Sequence, residues 1–292
     1  MYYPESELIL NERKAIYHLN LRHEELSDTV LLVGDPGRVE EVSRHFDRIE
    51  FKISHREFIT HTGYIGKKRI SCLSTGIGPD NIDIVLNELD ALASINFDTR
   101  ENLEKKRTLS LIRVGTTGSL QQDIDVDRFI VSAFAIGLDG LLNFYKYNKS
   151  NEQMNIIEDF TWQTNYPHIL AKPYVFKSST TLLKLFSKHT FQGITLTAPG
   201  FYAPQGRKLR YDLAYPDLIN NYTKFRYKDY QITNLEMETS GLYGLSSILG
   251  HEACTICVAV ANRVKQTFTT NSQKAVESLI SYVLECLTSS HK

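Results

Sequence analysis

Runs of apolar residues alternate along the chain with segments of helical periodicity. Residues 29–33 (TVLLV) form a continuous apolar run bounded by a glycine-containing turn, which is the pattern of a buried strand. Residues 70–74 and 109–114 repeat this pattern. Helical spacing follows the first two runs, over residues 38–46 and 79–93. The first half of the chain therefore predicts three strands and two helices in alternation.

The second half of the chain continues this alternation. Residues 128–138 alternate less cleanly but are extended in character. The remaining predicted elements are helices over residues 182–188, 236–249 and 272–287 and strands over residues 192–198 and 253–261. Strands that alternate with helices favour a sheet covered on both faces. We therefore predict an α/β fold with a mixed, mostly parallel central sheet flanked by helices.

The whole chain, residues 1–292, is predicted to form a single domain, because no linker, repeat or low-complexity tract divides it. Residues 100–108 are rich in Glu, Lys and Arg, and we expect them to be a solvated surface insertion. The tyrosine-rich tract over residues 211–230 is expected at the surface or at a subunit contact.

Composition and charge narrow the class of protein. The chain has 292 residues, of which 42% are hydrophobic and 23% are charged, as in ordinary globular proteins. Lys and Arg total 33 against 34 Asp and Glu, which gives a formal net charge of −1. A protein that binds duplex nucleic acid usually has a basic excess, so we expect no nucleic-acid partner. A small local anion site remains compatible with this balance.

Four cysteines are too few for a disulfide scaffold. Cys254 and Cys257 lie in a predicted strand, where side chains three positions apart face opposite sides, so we interpret them as buried structural residues rather than ligands of one metal. No apolar run is long enough to span a membrane, and the first residues lack the basic and then apolar pattern of a signal peptide. The expected setting is therefore cytoplasmic, with no membrane partner.

Three glycine-containing segments, residues 34–37, 75–78 and 115–118, follow predicted strands. Ligands of α/β sheets bind at the carboxyl ends of strands, where glycine lets backbone N–H groups approach them. Arg38 and Arg113 flank the first and third of these segments, and Arg56 lies between the first and the second. Backbone N–H groups together with guanidinium groups suit an oxyanion such as phosphate.

The alternative is that the glycines serve tight turns only and the arginines are solvated. No segment matches a phosphate-binding P-loop or the G-x-G-x-x-G pattern of nicotinamide enzymes.

Eight short segments, taken together, resemble the nucleoside phosphorylases of the trimeric and hexameric superfamily, and most closely the uridine phosphorylases. The segments, in chain order, are YHLNL (17–21), VGDPGR (33–38), SHREF (54–58), STGIG (74–78), RVGTTG (113–118), FYAPQGR (201–207), NLEME (234–238) and ANR (261–263). The resemblance implies the nucleoside phosphorylase fold and the phosphorolysis of uridine to uracil and ribose 1-phosphate. It also implies inorganic phosphate as the co-substrate and no organic cofactor.

The resemblance implies a phosphate site formed by Gly34, Arg38, Arg113 and Thr116 of one subunit. Arg56 is supplied in this family by the neighbouring subunit. Guanidinium groups match phosphate oxygens in pairs and remain charged at any working pH. A bound metal is not expected, although some relatives hold a monovalent cation through the glutamate that Glu57 matches.

The resemblance also implies the sites for ribose and base. Met237 and Glu238 match ribose contacts, and His18 matches a histidine that reaches the ribose 5′-hydroxyl across a dimer. The matching base-pocket residues are Phe201, Gln205, Arg207 and Arg263. An amide can both donate to and accept from a uracil edge. The expected catalytic residues are Arg113, Gln205, Arg207 and Glu238.

Related purine enzymes carry an aspartate in the stretch that here is VANR, residues 260–263. The missing acid argues against purine nucleosides and against the related hydrolases. Two alternatives remain open: a nucleoside hydrolase of the same fold, and a non-catalytic nucleoside-binding protein. Because two site residues come from a neighbour in this family, the resemblance implies a homo-oligomer with a dimer as the smallest complete unit and a hexamer as a larger form.

Overall fold

The computed structural model describes residues 1–289. Its strands are β1 (Thr29–Val33), β2 (Arg48–His55), β3 (Phe58–Ile65), β4 (Lys68–Ser74), β5 (Ile95–Asn96), β6 (Glu101–Asn102), β7 (Ser110–Ser119), β8 (Phe129–Gly137), β9 (Tyr174–Lys177), β10 (Phe191–Thr197), β11 (Arg226–Tyr227), β12 (Tyr230–Glu236), β13 (Glu252–Asn262) and β14 (Thr267–Phe268). Its α-helices are α1 (Gly37–Ser43), α2 (Pro79–Ser94), α3 (Asn151–Thr164), α4 (Thr180–Leu185), α5 (Leu218–Lys224), α6 (Thr239–Leu249) and α7 (Ser272–Ser289).

A single large mixed sheet organises the molecule. Its strand order is β11-β12-β10-β8-β13-β7-β1-β4-β3-β2. The neighbours β4, β1, β7 and β13 run parallel, as do β8, β10 and β12, whereas the β2–β3–β4 meander is antiparallel. The predicted α/β architecture, a mixed central sheet flanked by helices, is confirmed. Because β1, β4 and β7 are adjacent and parallel, their carboxyl ends meet at one edge, where α/β proteins bind ligands.

The sheet also closes on itself. Besides its pairing with β10, β12 pairs antiparallel with the end of β7, where Asn234 lies opposite Ser119 and Leu235 opposite Gly118. The Asn234 amide fixes this closure, because its Nδ2 donates to Thr117 Oγ1 at 2.9 Å while its Oδ1 accepts from the hydroxyl of Thr195 at 2.9 Å. The closure brings the last residues of β12 beside the last residues of β7.

Helices cover the sheet on both faces, and the apolar core is divided accordingly. Residues of α2 and α6 contribute to one buried cluster, and residues of α1 and α7 contribute to the cluster on the opposite face. Residues of α3 and α5 contribute to a third cluster, beside the closed part of the sheet. Cys254 and Cys257 are both buried in β13.

Several predicted boundaries were wrong: the helices predicted over residues 38–46 and 182–188 end at Ser43 and Leu185, and two further errors fall on glycine or acidic segments of the candidate site. Residues 115–118 do not form a turn but continue β7, because their backbone pairs with β13 and β12. The helix predicted from residue 236 begins at Thr239, since Glu236 still belongs to β12 and Glu238 occupies the N-cap position. The β2–β3 hairpin was not predicted; β2 alternates between exposed and half-buried positions, whereas β3 is mostly buried.

The segment over residues 100–108 lies mostly at the surface, as expected, but two of its arginines also hold other parts of the chain. Arg100 donates to the backbone carbonyls of Tyr3, Pro4 and Leu8, and thereby holds the first residues of the chain against the body. Arg107 donates to the carbonyl of Leu26 at 2.9 Å. The tyrosine tract meets the expectation in part: Tyr211 and Tyr215 are exposed, but Tyr222 is fully buried in the third cluster.

Candidate active site

A cavity of about 680 Å³ opens at the carboxyl ends of the central strands. The turns after β1 and β4, the end of β7, the loop after β10 and the β12–α6 junction line it. Of the residues predicted for the site, those around this one cavity are Gly34, Arg38, Arg113, Thr116, Phe201, Gln205, Arg207, Met237 and Glu238. The fold thus brings together residues that are far apart in sequence.

Arg113 lies on β7 and is buried, although it borders the cavity. Its Nη2 donates to Glu238 Oε2, and its Nη1 lies 3.4 Å from Glu236 Oε2. Burial alone would lower the pKa of the Arg113 guanidinium, but the carboxylates of Glu238 and Glu236 raise it above its ordinary value. Arg113 therefore remains a cation despite its burial.

Gly115 makes this position of Arg113 possible. The two residues lie on the same face of β7, two positions apart, and the guanidinium packs directly over the glycine. A Cβ at position 115 would overlap Nη1 of Arg113 and lie 3.1 Å from Cys257 Sγ. Gly115 is therefore needed not for a turn but because the Arg113 side chain packs closely over it within the strand.

Glu236 is a site residue that the sequence reasoning missed. Its carboxylate accepts from the Thr197 hydroxyl at 2.7 Å and from the backbone N–H groups of Glu238 and Thr239 at 3.0 Å. It thus caps the start of α6 and also borders Arg113. The signal that could have found it is an acidic residue at the end of an apolar strand, directly before a helix.

Glu238 lies at the N-terminus of α6 and is buried. Its Oε1 accepts from the backbone N–H of Gly78 at 2.8 Å, and its Oε2 accepts from Arg113. Burial raises the pKa of Glu238; Arg113 opposes this rise, and the neighbouring carboxylate of Glu236 adds to it. Each carboxylate oxygen retains a lone pair that can accept a ligand hydroxyl.

Arg38 is the second cation of the cavity and belongs to the first turn of α1. Burial and repulsion from Arg113 lower the pKa of the Arg38 guanidinium. An anion bound between Arg38 and Arg113 would offset both the burial of these cations and their mutual repulsion. Gly34 and Thr116 border the same part of the cavity.

The loop after β10 forms the other end of the cavity. Arg207 Nη1 donates to Gln205 Oε1 at 2.6 Å and to the Phe201 carbonyl at 2.8 Å, and its guanidinium stacks over the Phe201 ring, 3.8 Å from the centroid. Gln205 Nε2 has no hydrogen-bond partner in the described part of the chain. Burial, followed by repulsion from Arg263, lowers the pKa of Arg207 to about 10.

Arg263 supports this loop from behind rather than lining the cavity. Its Nη1 donates to the Gln205 carbonyl at 3.0 Å, and its Nη2 lies 3.4 Å from the carbonyl of Gly206. Gly206 has a φ of +65°, in the left-handed region that favours glycine. The backbone that carries Gln205 is therefore held in place by a side chain from the end of β13.

His18 and Arg56 do not line the cavity of their own chain. They lie near one another, because Arg56 Nη2 is 3.4 Å from the Tyr17 hydroxyl and the His55 ring bonds the His18 carbonyl at 3.0 Å. The backbone of Arg56 has a φ of +54°, which is uncommon for a non-glycine residue. The tip of the β2–β3 hairpin thus exposes Arg56, while its neighbour Glu57 borders the cavity.

Within residues 1–289, no group of three or more His, Cys, Asp or Glu side chains is arranged to hold a metal ion. None of the helices in this range combines the length and the apolar character needed to cross a membrane.

A family model described as "Phosphorylase superfamily" matches residues 28–288. The chain therefore belongs to the phosphorylase superfamily, and the resemblance seen in its sequence motifs is confirmed.

Individual relatives refine this assignment. The uridine phosphorylase of Haemophilus influenzae is 28% identical over 279 residues, which covers 91% of this chain and 96% of the relative. A solved nucleoside phosphorylase from Trypanosoma brucei, described as showing uridine phosphorylase activity, superimposes with a TM-score of 0.88 at 28% identity and covers 97% of this chain and 100% of its own. A DeoD-type purine nucleoside phosphorylase of Buchnera aphidicola is 24% identical over 258 residues, covering 88% of this chain and 92% of the relative.

Proposed function

We propose that this protein catalyses the phosphorolysis of uridine to uracil and ribose 1-phosphate. The observation that carries the proposal is the meeting, around one cavity, of the cations Arg38 and Arg113, the buried carboxylate of Glu238 and the Gln205–Arg207 pair. Membership of the phosphorylase superfamily and the 28% identity to a uridine phosphorylase support it.

The chemistry needs no nucleophile from the protein. A phosphate oxygen attacks the anomeric carbon while the bond to N1 of uracil breaks, and the bonding electrons leave with the base. The reaction is accelerated by holding phosphate against the sugar and by stabilising the charge that develops on the base. Arg38 and Arg113, with the backbone at Gly34 and the Thr116 hydroxyl, hold the phosphate. Arg113 Nε is buried and has no hydrogen-bond partner among residues 1–289, so one donor of this guanidinium is not satisfied within its own chain.

Glu238 accepts hydrogen bonds from the ribose 2′- and 3′-hydroxyls, and Met237 lies along the apolar face of the sugar. This role suits the geometry of the Arg113–Glu238 ion pair. Arg113 contacts the carboxylate of Glu238, which binds the sugar, and also borders the space for phosphate. One ion pair thereby sets the distance between the two reactants.

The base is read by the loop after β10. The amide of Gln205 pairs with one edge of uracil, and Arg207 stabilises the carbonyl where negative charge develops. Arg207 already donates to the oxygen of that amide at 2.6 Å, and this bond orients the free Nε2 donors. The neighbouring cavity wall at the end of β13 is formed by Val260 and Ala261, with no acid to protonate a purine ring nitrogen. This composition favours a pyrimidine over a purine.

A complete site requires a neighbouring subunit. His18 and Arg56 lie together outside the cavity of their own chain, which is the arrangement expected if they enter the site of a second copy. We therefore propose a homo-oligomer with a dimer as the smallest active unit.

A substrate panel tests the proposed function. Purified protein is incubated with uridine, thymidine, cytidine or inosine, with and without inorganic phosphate, and the free base is measured by chromatography. We expect repeated turnover of uridine that depends on phosphate and yields ribose 1-phosphate. Release of uracil without phosphate would instead identify a hydrolase, and binding without turnover would identify a non-catalytic nucleoside-binding protein. A preference for inosine would contradict the assigned base.

Sizing by light scattering, combined with the same assay, tests the subunit proposal. Activity is expected only in fractions that contain at least a dimer. A strictly monomeric fraction with full specific activity would contradict it.

A further inference from the structure

Behind the His18 ring lies a carboxylate that the proposed chemistry does not yet use. Glu88, on α2, accepts from the backbone N–H of His18 at 3.0 Å and from that of Leu19 at 2.8 Å. The same carboxylate bonds the Nδ1 of the His18 ring at 2.6 Å. Three contacts to two adjacent residues fix the backbone and the side chain of His18 together.

The chemistry of this pair determines which ring nitrogen carries the proton. An ionised carboxylate can only accept hydrogen bonds, so Nδ1 of His18 must be the donor in a 2.6 Å contact with Glu88. A neutral His18 ring therefore has a bare Nε2 on the side away from Glu88. The Tyr17 ring packs edge-on at 4.8 Å between centroids and that of Phe58 at 6.5 Å, which restricts rotation of the imidazole.

We propose that Glu88 is a positioning residue that fixes the tautomer and direction of His18, so that Nε2 accepts from the ribose 5′-hydroxyl of a nucleoside bound in the neighbouring subunit. This inference rests on the proposed function, because it assigns His18 to the nucleoside of a second copy. Glu88 itself touches no substrate. At metal and catalytic sites, a carboxylate that accepts from one ring nitrogen of a histidine fixes the orientation and tautomer of the ring and raises the basicity of the other nitrogen.

A purely structural role for Glu88 is the competing explanation, since it also tethers the first residues of the chain. A second carboxylate provides a control for the loss of a charge beside the same segment. Asp98 forms an exposed ion pair with Lys14 Nζ at 2.7 Å and does not contact His18. Asp98→Asn removes this ion pair and a charge but leaves the Glu88–His18 pair intact.

The experiment compares uridine with 5′-deoxyuridine, which lacks the hydroxyl in question. For Glu88→Gln we expect kcat/KM for uridine to fall roughly tenfold, as for loss of a charge-assisted hydrogen bond. For 5′-deoxyuridine we expect a change of less than about twofold, since the affected contact is absent there. Asp98→Asn should leave both substrates unchanged. In a His18→Ala background, Glu88→Gln should have no further effect on uridine.

A spectroscopic readout makes the proposal independent of turnover. Nitrogen-15 NMR of the His18 ring in the full-length protein should show a protonated Nδ1 and a bare Nε2, and Glu88→Gln should shift this tautomer balance. Equal losses for both substrates, or an unchanged tautomer, would overturn the proposal. If the wild-type protein turns over neither substrate, the proposed function fails, and the NMR result alone then decides whether Glu88 sets the tautomer.

Discussion

The two ends of the cavity are built in different ways. At one end, Arg113 within β7, Glu236 at the end of β12 and Glu238 at the N-terminus of α6 are buried, and the arginine pairs with both carboxylates. At the other end, Arg207 stacks on Phe201, which is 49% exposed, and bonds within its own loop. The folded sheet brings the residues of the first region together, and their buried ion pairs in turn contribute to the stability of the sheet. The second depends mainly on local contacts, so changes there should alter selectivity without unfolding the protein.

The largest expected effect comes from breaking the buried charge cluster. Arg113→Met leaves the carboxylates of Glu236 and Glu238 buried without their cation, which should lower the free energy of unfolding by about 3–5 kcal/mol. Phosphate-dependent turnover should be lost as well. Urea denaturation followed by circular dichroism measures the first effect. Adding Glu238→Gln to Arg113→Met should restore part of the stability, and a loss below about 1 kcal/mol would contradict a coupled buried cluster.

Gly115→Ala should displace Arg113 without removing its charge. The new Cβ would overlap the guanidinium, so we expect KM for phosphate to rise at least about tenfold, equivalent to about 1.4 kcal/mol. Initial rates at varied phosphate measure this. Gly37→Ala is the control, because the added Cβ there approaches only a side-chain oxygen of Asp35, at 3.4 Å. An unchanged KM for phosphate would remove Arg113 from the phosphate site.

Gln205→Ala tests the loop end of the cavity. Loss of the amide leaves the base edge without a partner and removes one of the two acceptors of Arg207, so discrimination between uridine and inosine should fall by roughly 10- to 100-fold in kcat/KM. Stability should change by less than about 1 kcal/mol, which would separate this region from the buried cluster. Preserved discrimination would count against the base pocket.

Arg263→Met should give a smaller change in the same direction. The side chain supports the loop through the carbonyls of Gln205 and Gly206 and does not line the cavity. We expect KM for uridine to rise about three- to tenfold with KM for phosphate unchanged, as for loss of one or two hydrogen bonds to a charged group. A rise in KM for phosphate of the same size would show that the two ends of the cavity are not independent.

The smallest expected effect is the slow alkylation of Cys257, whose Sγ lies 3.4 Å from Arg113 Nη1. Burial raises the pKa of the Cys257 thiol to about 12. A raised thiol pKa means that almost no thiolate is present at pH 8, so alkylation by iodoacetamide should be slow in the native protein and fast in urea. Peptide mass spectrometry measures both rates. Rapid native labelling would indicate that the buried cluster opens readily.

The fold was largely predictable because its strands are continuous apolar runs buried on both faces. The run at residues 29–33 matches β1 fully, and all of its residues are buried. A search for continuous apolar runs does not find β2, whose polar and apolar residues alternate, nor residues 115–118, where small and polar residues continue a strand. A glycine that makes room for a side chain and a glycine that turns the backbone look alike in sequence.

The sequence predicted which residues lie at the candidate site better than it predicted how they contact one another. Motif resemblance named the residues that line the cavity, but it gave no sign that Arg113 pairs with Glu238 or that Arg263 lies behind the loop. These relations depend on the meeting of β12 with β7, and no local pattern encodes that pairing. Glu236 carries a local signal, as an acidic residue between a strand and a helix, but its partners Thr197 and Arg113 come from other strands and could not be predicted.

The pairing of β12 with β7 also has a consequence for how the chain matures. These strands are distant in sequence, and contacts of this kind carry a high loop-closure entropy and form slowly. During synthesis, the first half of the chain emerges before the segment that supplies Glu236 and Glu238 has been translated. The cavity therefore cannot be complete until that segment has been synthesised and paired, and a small molecule that binds only the completed cavity would stabilise the folded chain by mass action.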